Sequence, residues 1–219
     1  MEYNRGDVTH QYIANYIQKV LAPSQGLLAE LEEYAQKEFV PIIHKETAAF
    51  LRVWLSVQKP LNILEVGTAI GYSAILFAQS TDAHIITLEK EAAVAEIARE
   101  NIKKAYLDDR ISVVNAEAGE YLAACKDEDK FDVIFLDGPK SHYVHYLHDC
   151  VRLCKNGGVL IADNILYKGR VADGGEVKHG SLTIVRHLRE FLEVICRHKN
   201  FDSCIIPIGD GISISRIIK

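Results

Sequence analysis

Two hydrophobic rhythms divide the chain near Pro60. Before it, apolar residues recur at helical spacing. Ile13, Tyr16, Ile17 and Val20 form one stripe, and Leu27, Leu28, Leu31 and Tyr34 form a second, with Ser24 placed to cap it. A third helix is predicted after Pro41, with Trp54 as a packing residue. After Pro60, short apolar runs alternate with amphipathic segments; the runs cover 61–66, 84–88, 111–114, 131–136 and 159–162. Their density of Val, Ile and Leu predicts parallel strands covered on both faces. The end of the chain changes again. Ser181 is placed to cap a helix carrying Ile184, Leu188, Phe191, Leu192 and Ile195, and 204–208 and 212–218 read as two strands joined by a tight Gly-Asp-Gly turn. The pattern predicts one α/β domain over residues 1–219. A helical cap occupies 1–57, and 58–219 form a doubly wound, mostly parallel sheet with helices on both faces and an antiparallel end.

Composition narrows the class. With 219 residues, 48% hydrophobic and 25% charged, the chain is expected to be a soluble globular domain, which excludes disordered and collagen-like readings. No run approaches the roughly 18 apolar residues of a membrane span, and the polar start suggests no signal peptide. Five Cys without a CxxC pair argue against a disulfide framework or structural zinc, so a reducing cytoplasm is expected. The net charge of −5 does not mark a nucleic-acid binder. However, from residue 166 onward nine Lys/Arg face six Asp/Glu, a net +3, which leaves about −8 for the first 165 residues and allows a basic face late in the chain.

Candidate chemistry begins at Ile63-Leu-Glu-Val-Gly-Thr-Ala-Ile-Gly-Tyr-Ser73, a strand, a glycine turn and a helix start. Gly67 and Gly71 let backbone pass close to a ligand, and the helix start offers unpaired N–H groups. Glu89 closes the second strand, 22 residues after Gly67, where its carboxylate can accept hydrogen bonds from both ribose hydroxyls of a nucleoside cofactor. A dinucleotide fingerprint would need glycines where Ala69 and Tyr72 stand, which counts against NAD. Glu65, just before the loop, suits a cofactor with positive charge, such as the ammonium and sulfonium of S-adenosylmethionine.

Two further strand ends carry acids: Asp137 in Phe-Leu-Asp-Gly-Pro-Lys140, and Asp163 with Asn164 in Ile-Ala-Asp-Asn. Ligand crevices of open α/β sheets lie at the carboxyl edge, so these residues should converge with the glycine loop. Two carboxylates and an amide carbonyl form an all-oxygen set that suits Mg²⁺ and not zinc. Lys140, near such a cation, is a candidate general base. His142 and Tyr143 follow it closely and are candidates to line an acceptor pocket. His142, His145 and His148 recur every three residues but lack an HExxH, so zinc is not expected there. Cys150 and Cys154 read as core. Tyr3, Arg5, Tyr12 and Tyr16 suit a dimer or RNA surface, and a helix packing stripe explains the tyrosines equally well.

Together, Glu-x-Gly-Thr-x-x-Gly-Tyr-Ser, Glu89, Phe-Leu-Asp-x-x-Lys and Ala-Asp-Asn resemble the metal-dependent O-methyltransferases of the catechol and caffeoyl-CoA type, over roughly residues 40–219. The resemblance implies a Rossmann-like S-adenosylmethionine methyltransferase fold, with Asp137, Asp163 and Asn164 as Mg²⁺ ligands and Lys140 as base. It also implies Glu65, Gly67, Ser73, Glu89 and Asp137 as cofactor contacts, Glu117-Ala118 beside the adenine, Ile43 near the methionine end, and a homodimer. Ala116-Glu117 stands where many members have Gly-Asp. Asp-Asn-Ile-Leu-Tyr-Lys-Gly-Arg-Val171 and the short length are most similar to the bacterial branch that methylates 5-hydroxyuridine at the tRNA wobble position. Lys168 and Arg170 would then hold phosphates at the mouth of the site, in a segment with Gly169, Gly174 and Gly175 that reads as a mobile loop. A catechol-like small molecule offers the same pair of neighbouring oxygens, so the core motifs do not choose between acceptors. A non-catalytic nucleotide-binding module and an NAD-linked dehydrogenase are the remaining readings.

Overall fold

A computed structural model describes residues 8–173 and 181–219. Three helices come first: α1 (Gln11–Val20), α2 (Leu27–Glu38) and α3 (Lys45–Gln58). Strands and helices then alternate through β1 (Asn62–Val66), α4 (Tyr72–Ser80), β2 (His84–Glu89), α5 (Ala92–Lys104), β3 (Ile111–Asn115), α6 (Ala118–Ala124), β4 (Phe131–Leu136), α7 (Tyr143–Leu153) and β5 (Cys154–Ala162). The chain closes with α8 (Leu182–Arg197), β6 (Phe201–Ile206) and β7 (Ile212–Ile217). The sheet order is β3-β2-β1-β4-β5-β7-β6, parallel except for β7, which runs antiparallel to both neighbours.

Alternate strand residues feed two apolar layers. Ile63, Val133, Phe135 and Ile161 pack with Leu51, Ile75 and Phe77, from α3 and α4. Leu64, Ile134, Leu136 and Leu160 pack with Leu122, Leu147 and Phe191, from α6, α7 and α8. Burial on both faces explains the unbroken apolar runs of the central strands. The order reverses between β1 and β4, and such a switch point opens a crevice at the carboxyl ends of the strands. Cys150 and Cys154 are buried in the second layer, and Trp54 packs partly buried against the first.

Several local details differ from expectation. Gly26, not Ser24, stands at the start of α2; the Ser24 hydroxyl instead donates to Glu32 Oε1 at 2.5 Å. Ser181 does stand at the start of α8 but makes no capping bond; its hydroxyl accepts from Arg170. Helix α3 runs to Gln58, one residue past the expected end of the cap. The last two strands are joined by a longer connection, 207–211, than a tight hairpin turn, and it reaches across to the carboxyl edge of the sheet. Tyr12 and Tyr16 are exposed on α1, which buries no residue; Tyr3, Arg5, Gly174 and Gly175 lie outside the described residues. Among the described residues, no helix is long and apolar enough to cross a membrane.

Candidate active site

The parallel ladder continues past the strand ends. Gly67 N–H donates to the Leu88 carbonyl at 3.0 Å, Asp137 N–H to Val66 at 2.8 Å and Asp163 N–H to Leu136 at 2.9 Å. These bonds line up Gly67, Asp137 and Asp163 along one edge. A cleft of about 1200 Å³ opens there, walled by the glycine loop, the Asp137–Lys140 segment, Asn164, Tyr167 and Lys168, with the cap helices opposite.

Gly67, at φ +102°, is dictated first by backbone: a Cβ there would lie 2.8 Å from the Asp137 carbonyl carbon. The cofactor loop and the acidic loop are therefore in direct main-chain contact. Glu89 also holds this loop. Its Oε2 accepts the Ala69 N–H and its Oε1 the Glu91 N–H, both at 3.1 Å, and further lone pairs remain for ribose hydroxyls. Ile43 and Ser73 are buried residues of the cleft lining, as is Ala118, the first residue of α6. Glu117 is more committed than expected. Its Oε2 accepts the Glu120 N–H at 2.9 Å as the cap of α6, and its Oε1 accepts from the Tyr146 hydroxyl at 3.3 Å.

Glu65 does not line the cleft. It is fully buried beneath the glycine loop, where Thr68 and Thr87 hydroxyls lie 2.6 Å apart and Thr87 donates to Glu65 Oε2 at 2.5 Å. Because Thr87 spends its proton on Glu65, Thr68 must donate to Thr87. Burial pushes the Glu65 carboxyl up to about 7, against the Ser73 and Thr87 hydroxyls and with help from the Asp137 charge. Oε1 has no hydrogen-bond partner.

At the other end, Lys140 Nζ pairs with Asp137 Oδ1 at 2.8 Å. Asp163 is buried; Oδ1 accepts the Asn164 N–H at 2.7 Å, and Oδ2 has no partner. Burial, then the neighbouring Asp137 charge, holds its carboxyl well above the usual range, while the Asn164 N–H and Lys140 pull it down. Asn164 takes a left-handed conformation, φ +56°. Among the described residues, no group of three or more His, Cys, Asp or Glu is arranged to hold a metal ion; the Asp137, Asp163 and Asn164 set has two carboxylates and an amide.

Three of the four expected acceptor residues, Tyr143, His142 and Arg170, are not in the cleft wall. Tyr143 is fully buried, and its hydroxyl donates to the carbonyls of Leu136 (3.0 Å) and Asp163 (3.3 Å), bracing both strand ends from below. His142 is exposed, with Nδ1 3.3 Å from the Tyr146 hydroxyl. Lys168 does line the cleft. Arg170 instead donates to Ser181 Oγ at 2.8 Å and lies over the Tyr167 ring at 5.5 Å. The cleft also takes residues not singled out from the sequence: Glu32, His44, Tyr72, Tyr146 and Asp210. Of these, Asp210 had a signal, the turn glycines on both sides of it.

The switch-point cleft, glycine loop, acid at the end of β2 and terminal antiparallel strand together define a Rossmann-like methyltransferase fold. A family model described as O-methyltransferase matches residues 18–218. A caffeoyl-CoA O-methyltransferase of Populus kitakamiensis is 30% identical over 203 residues, 86% of this chain and 85% of that protein. A catechol O-methyltransferase of Niastella koreensis is 30% identical over 202 residues, 90% of each. The crystal structure of the O-methyltransferase from Bacillus cereus in complex with SAH superposes with a TM-score of 0.82 at 28% identity, covering 94% of this chain and 97% of that one. The chain belongs to the O-methyltransferase family, of the caffeoyl-CoA and catechol type, and is a methyltransferase that uses S-adenosylmethionine.

Proposed function

We propose that this enzyme methylates 5-hydroxyuridine at the tRNA wobble position, with Mg²⁺ assisting. The observation that carries the metal is Asp163, whose Oδ2 is buried without a hydrogen-bond partner beside Asp137. Such an atom is costly. A divalent cation held by Asp137, Asp163 and Asn164 would offset the cost with oxygen ligands that suit Mg²⁺. When bound, it would supply Lewis-acid stabilisation of the acceptor oxygen and a counter-charge for Asp137.

The chain's own residues supply the rest. Glu89 orients the ribose, and Ile43 and Ser73 flank the methionine end. Lys140, which pairs with Asp137 beside the acceptor end, is the candidate general base for the acceptor's hydroxyl proton. The sulfur–methyl bond breaks as the oxygen–methyl bond forms, and much of the barrier reduction is orientation. Support for an RNA acceptor comes from Lys168 in the cleft wall, the net positive charge after residue 166, and the resemblance of 163–171 to the tRNA-modifying branch. This reading includes a cytoplasmic homodimer, with exposed Tyr12 and Tyr16 available for pairing. A second reading, a small molecule with adjacent hydroxyls, is favoured by the names of the poplar and Niastella relatives.

The test is mass spectrometry of tRNA nucleosides from a deletion strain. Loss of 5-methoxyuridine with accumulation of 5-hydroxyuridine is expected, reversed by the wild-type chain and not by Asp163→Ala. Unchanged nucleosides, with purified enzyme methylating catechol, would favour the second reading.

A further inference from the structure

The segment after β5 is held in an unusual backbone. Asn164, Tyr167 and Lys168 all have positive φ (+56°, +45° and +54°), and none is glycine. Each such residue costs of order 1 kcal/mol or more unless its surroundings over-determine it. The surroundings here are the 207–211 connection between β6 and β7. Ile165 N–H donates to the Gly211 carbonyl at 3.0 Å and Leu166 N–H to the Asp210 carbonyl at 3.1 Å. A Cβ at Gly211 would come within 2.7 Å of Leu166 Cδ1, so the two segments are in close contact. One bond in this clamp uses a side chain: the Lys168 N–H donates to Asp210 Oδ1.

We infer that Asp210 is a positioning residue for the acceptor end of the cleft, fixing the left-handed Tyr167–Lys168 pair so that both side chains face the acceptor. Two observations separate this from a generic turn contact. Asp210 and both residues of the pair line the same cleft. The carboxylate is half-buried, and its Oδ1 is committed to the Lys168 N–H at the edge of that cleft. The division of labour is also specific. Ile165 and Leu166 are held by main-chain carbonyls that no substitution at 210 removes, so Asn164 stays in place. Only the Lys168 end depends on the side chain, so substitution should act on acceptor binding and not on the methyl-transfer step.

This inference rests on the proposed acceptor, and two readouts keep them apart. The first needs no acceptor: amide hydrogen exchange of 164–171 in the full chain. Asp210→Ala should speed exchange at Lys168 about tenfold or more. Asp210→Asn, whose amide oxygen still accepts the N–H, should restore protection. The second is methylation of an anticodon stem-loop RNA carrying 5-hydroxyuridine. Asp210→Ala should raise the RNA KM about tenfold with kcat and S-adenosylmethionine Kd nearly unchanged, and Asp210→Asn should recover most of the KM. Unchanged exchange in Asp210→Ala, or an Asp210→Asn variant as impaired as the alanine, overturns the assignment. A wild-type enzyme inactive on the RNA overturns the acceptor instead, and exchange alone then decides Asp210.

Discussion

Glu65 offers the sharpest test of the site's electrostatics. Its carboxyl titrates at about 7 in the folded chain against a reference of 4.5, because it is buried. Below pH 4.5 the group is neutral in both states and its burial carries no charge penalty. As pH rises from 4.5 through about 7, the unfolded chain ionises first, so the folded state loses relative stability; above that the loss is complete. At 1.36 kcal/mol per pH unit, the full loss is roughly 3 kcal/mol, an upper bound for a group that can relax on ionising. Glu65→Gln keeps an oxygen for the Thr87 hydroxyl and removes the ionisation. Urea unfolding of cofactor-free protein from pH 5 to 8 should therefore show the variant gaining on wild type as pH rises, by a few kcal/mol at pH 8. Asp163 is shifted in the same direction, but it is present in both proteins and largely cancels in the difference. Parallel stability curves would mean that Glu65 is solvated or compensated in a way this burial does not allow.

Four further outcomes are expected. Gly67→Ala, which drives a Cβ into the Asp137 carbonyl at an unfavourable φ, should cost about 2–5 kcal/mol and show as a marked fall in Tm; a wild-type melt would mean the two loops are not in contact. Glu89→Gln leaves one of two backbone N–H groups facing an amide NH₂ and should weaken S-adenosylmethionine binding about tenfold or more by calorimetry, whereas an unchanged Kd would put the ribose elsewhere. Asn164→Ala, or EDTA treatment of wild type, should abolish turnover, with Mg²⁺ rescuing only the latter; full activity in excess chelator would remove the metal. Lys168→Ala should lower the salt dependence of RNA binding by about one counterion and leave catechol methylation unaffected; equal loss on both substrates would argue for a general closing role.

The sheet and the edge residues were legible because strands buried on both faces print themselves as apolar runs, and whatever follows such a run falls on the carboxyl edge. Asp137 and Asp163 fall at that edge for this reason, with Lys140 three residues beyond Asp137. Side-chain direction was not legible. Glu65 lies two residues from Gly67 and Tyr143 three from Lys140, yet both are buried beneath the cleft floor, because strand alternation and helix phase send them there. Glu117 sits where an adenine contact was expected, but a helix start claims one of its oxygens. Asp210 was missed for another reason: its partner, Lys168, is 42 positions earlier, and only the order β5-β7-β6 brings them together.

That strand order has a consequence for synthesis. Every motif of the cofactor and acidic loops has been translated by Asn164, and β1 to β5 can pair in succession as they appear. The clamp on 164–168 is not yet available then: β7 must first insert between β5 and β6, and it comes from residues 212–217. A nascent chain could therefore form a cofactor pocket well before it holds its acceptor loop. Catalytic competence would be acquired in two stages, the second governed by docking of the last strand.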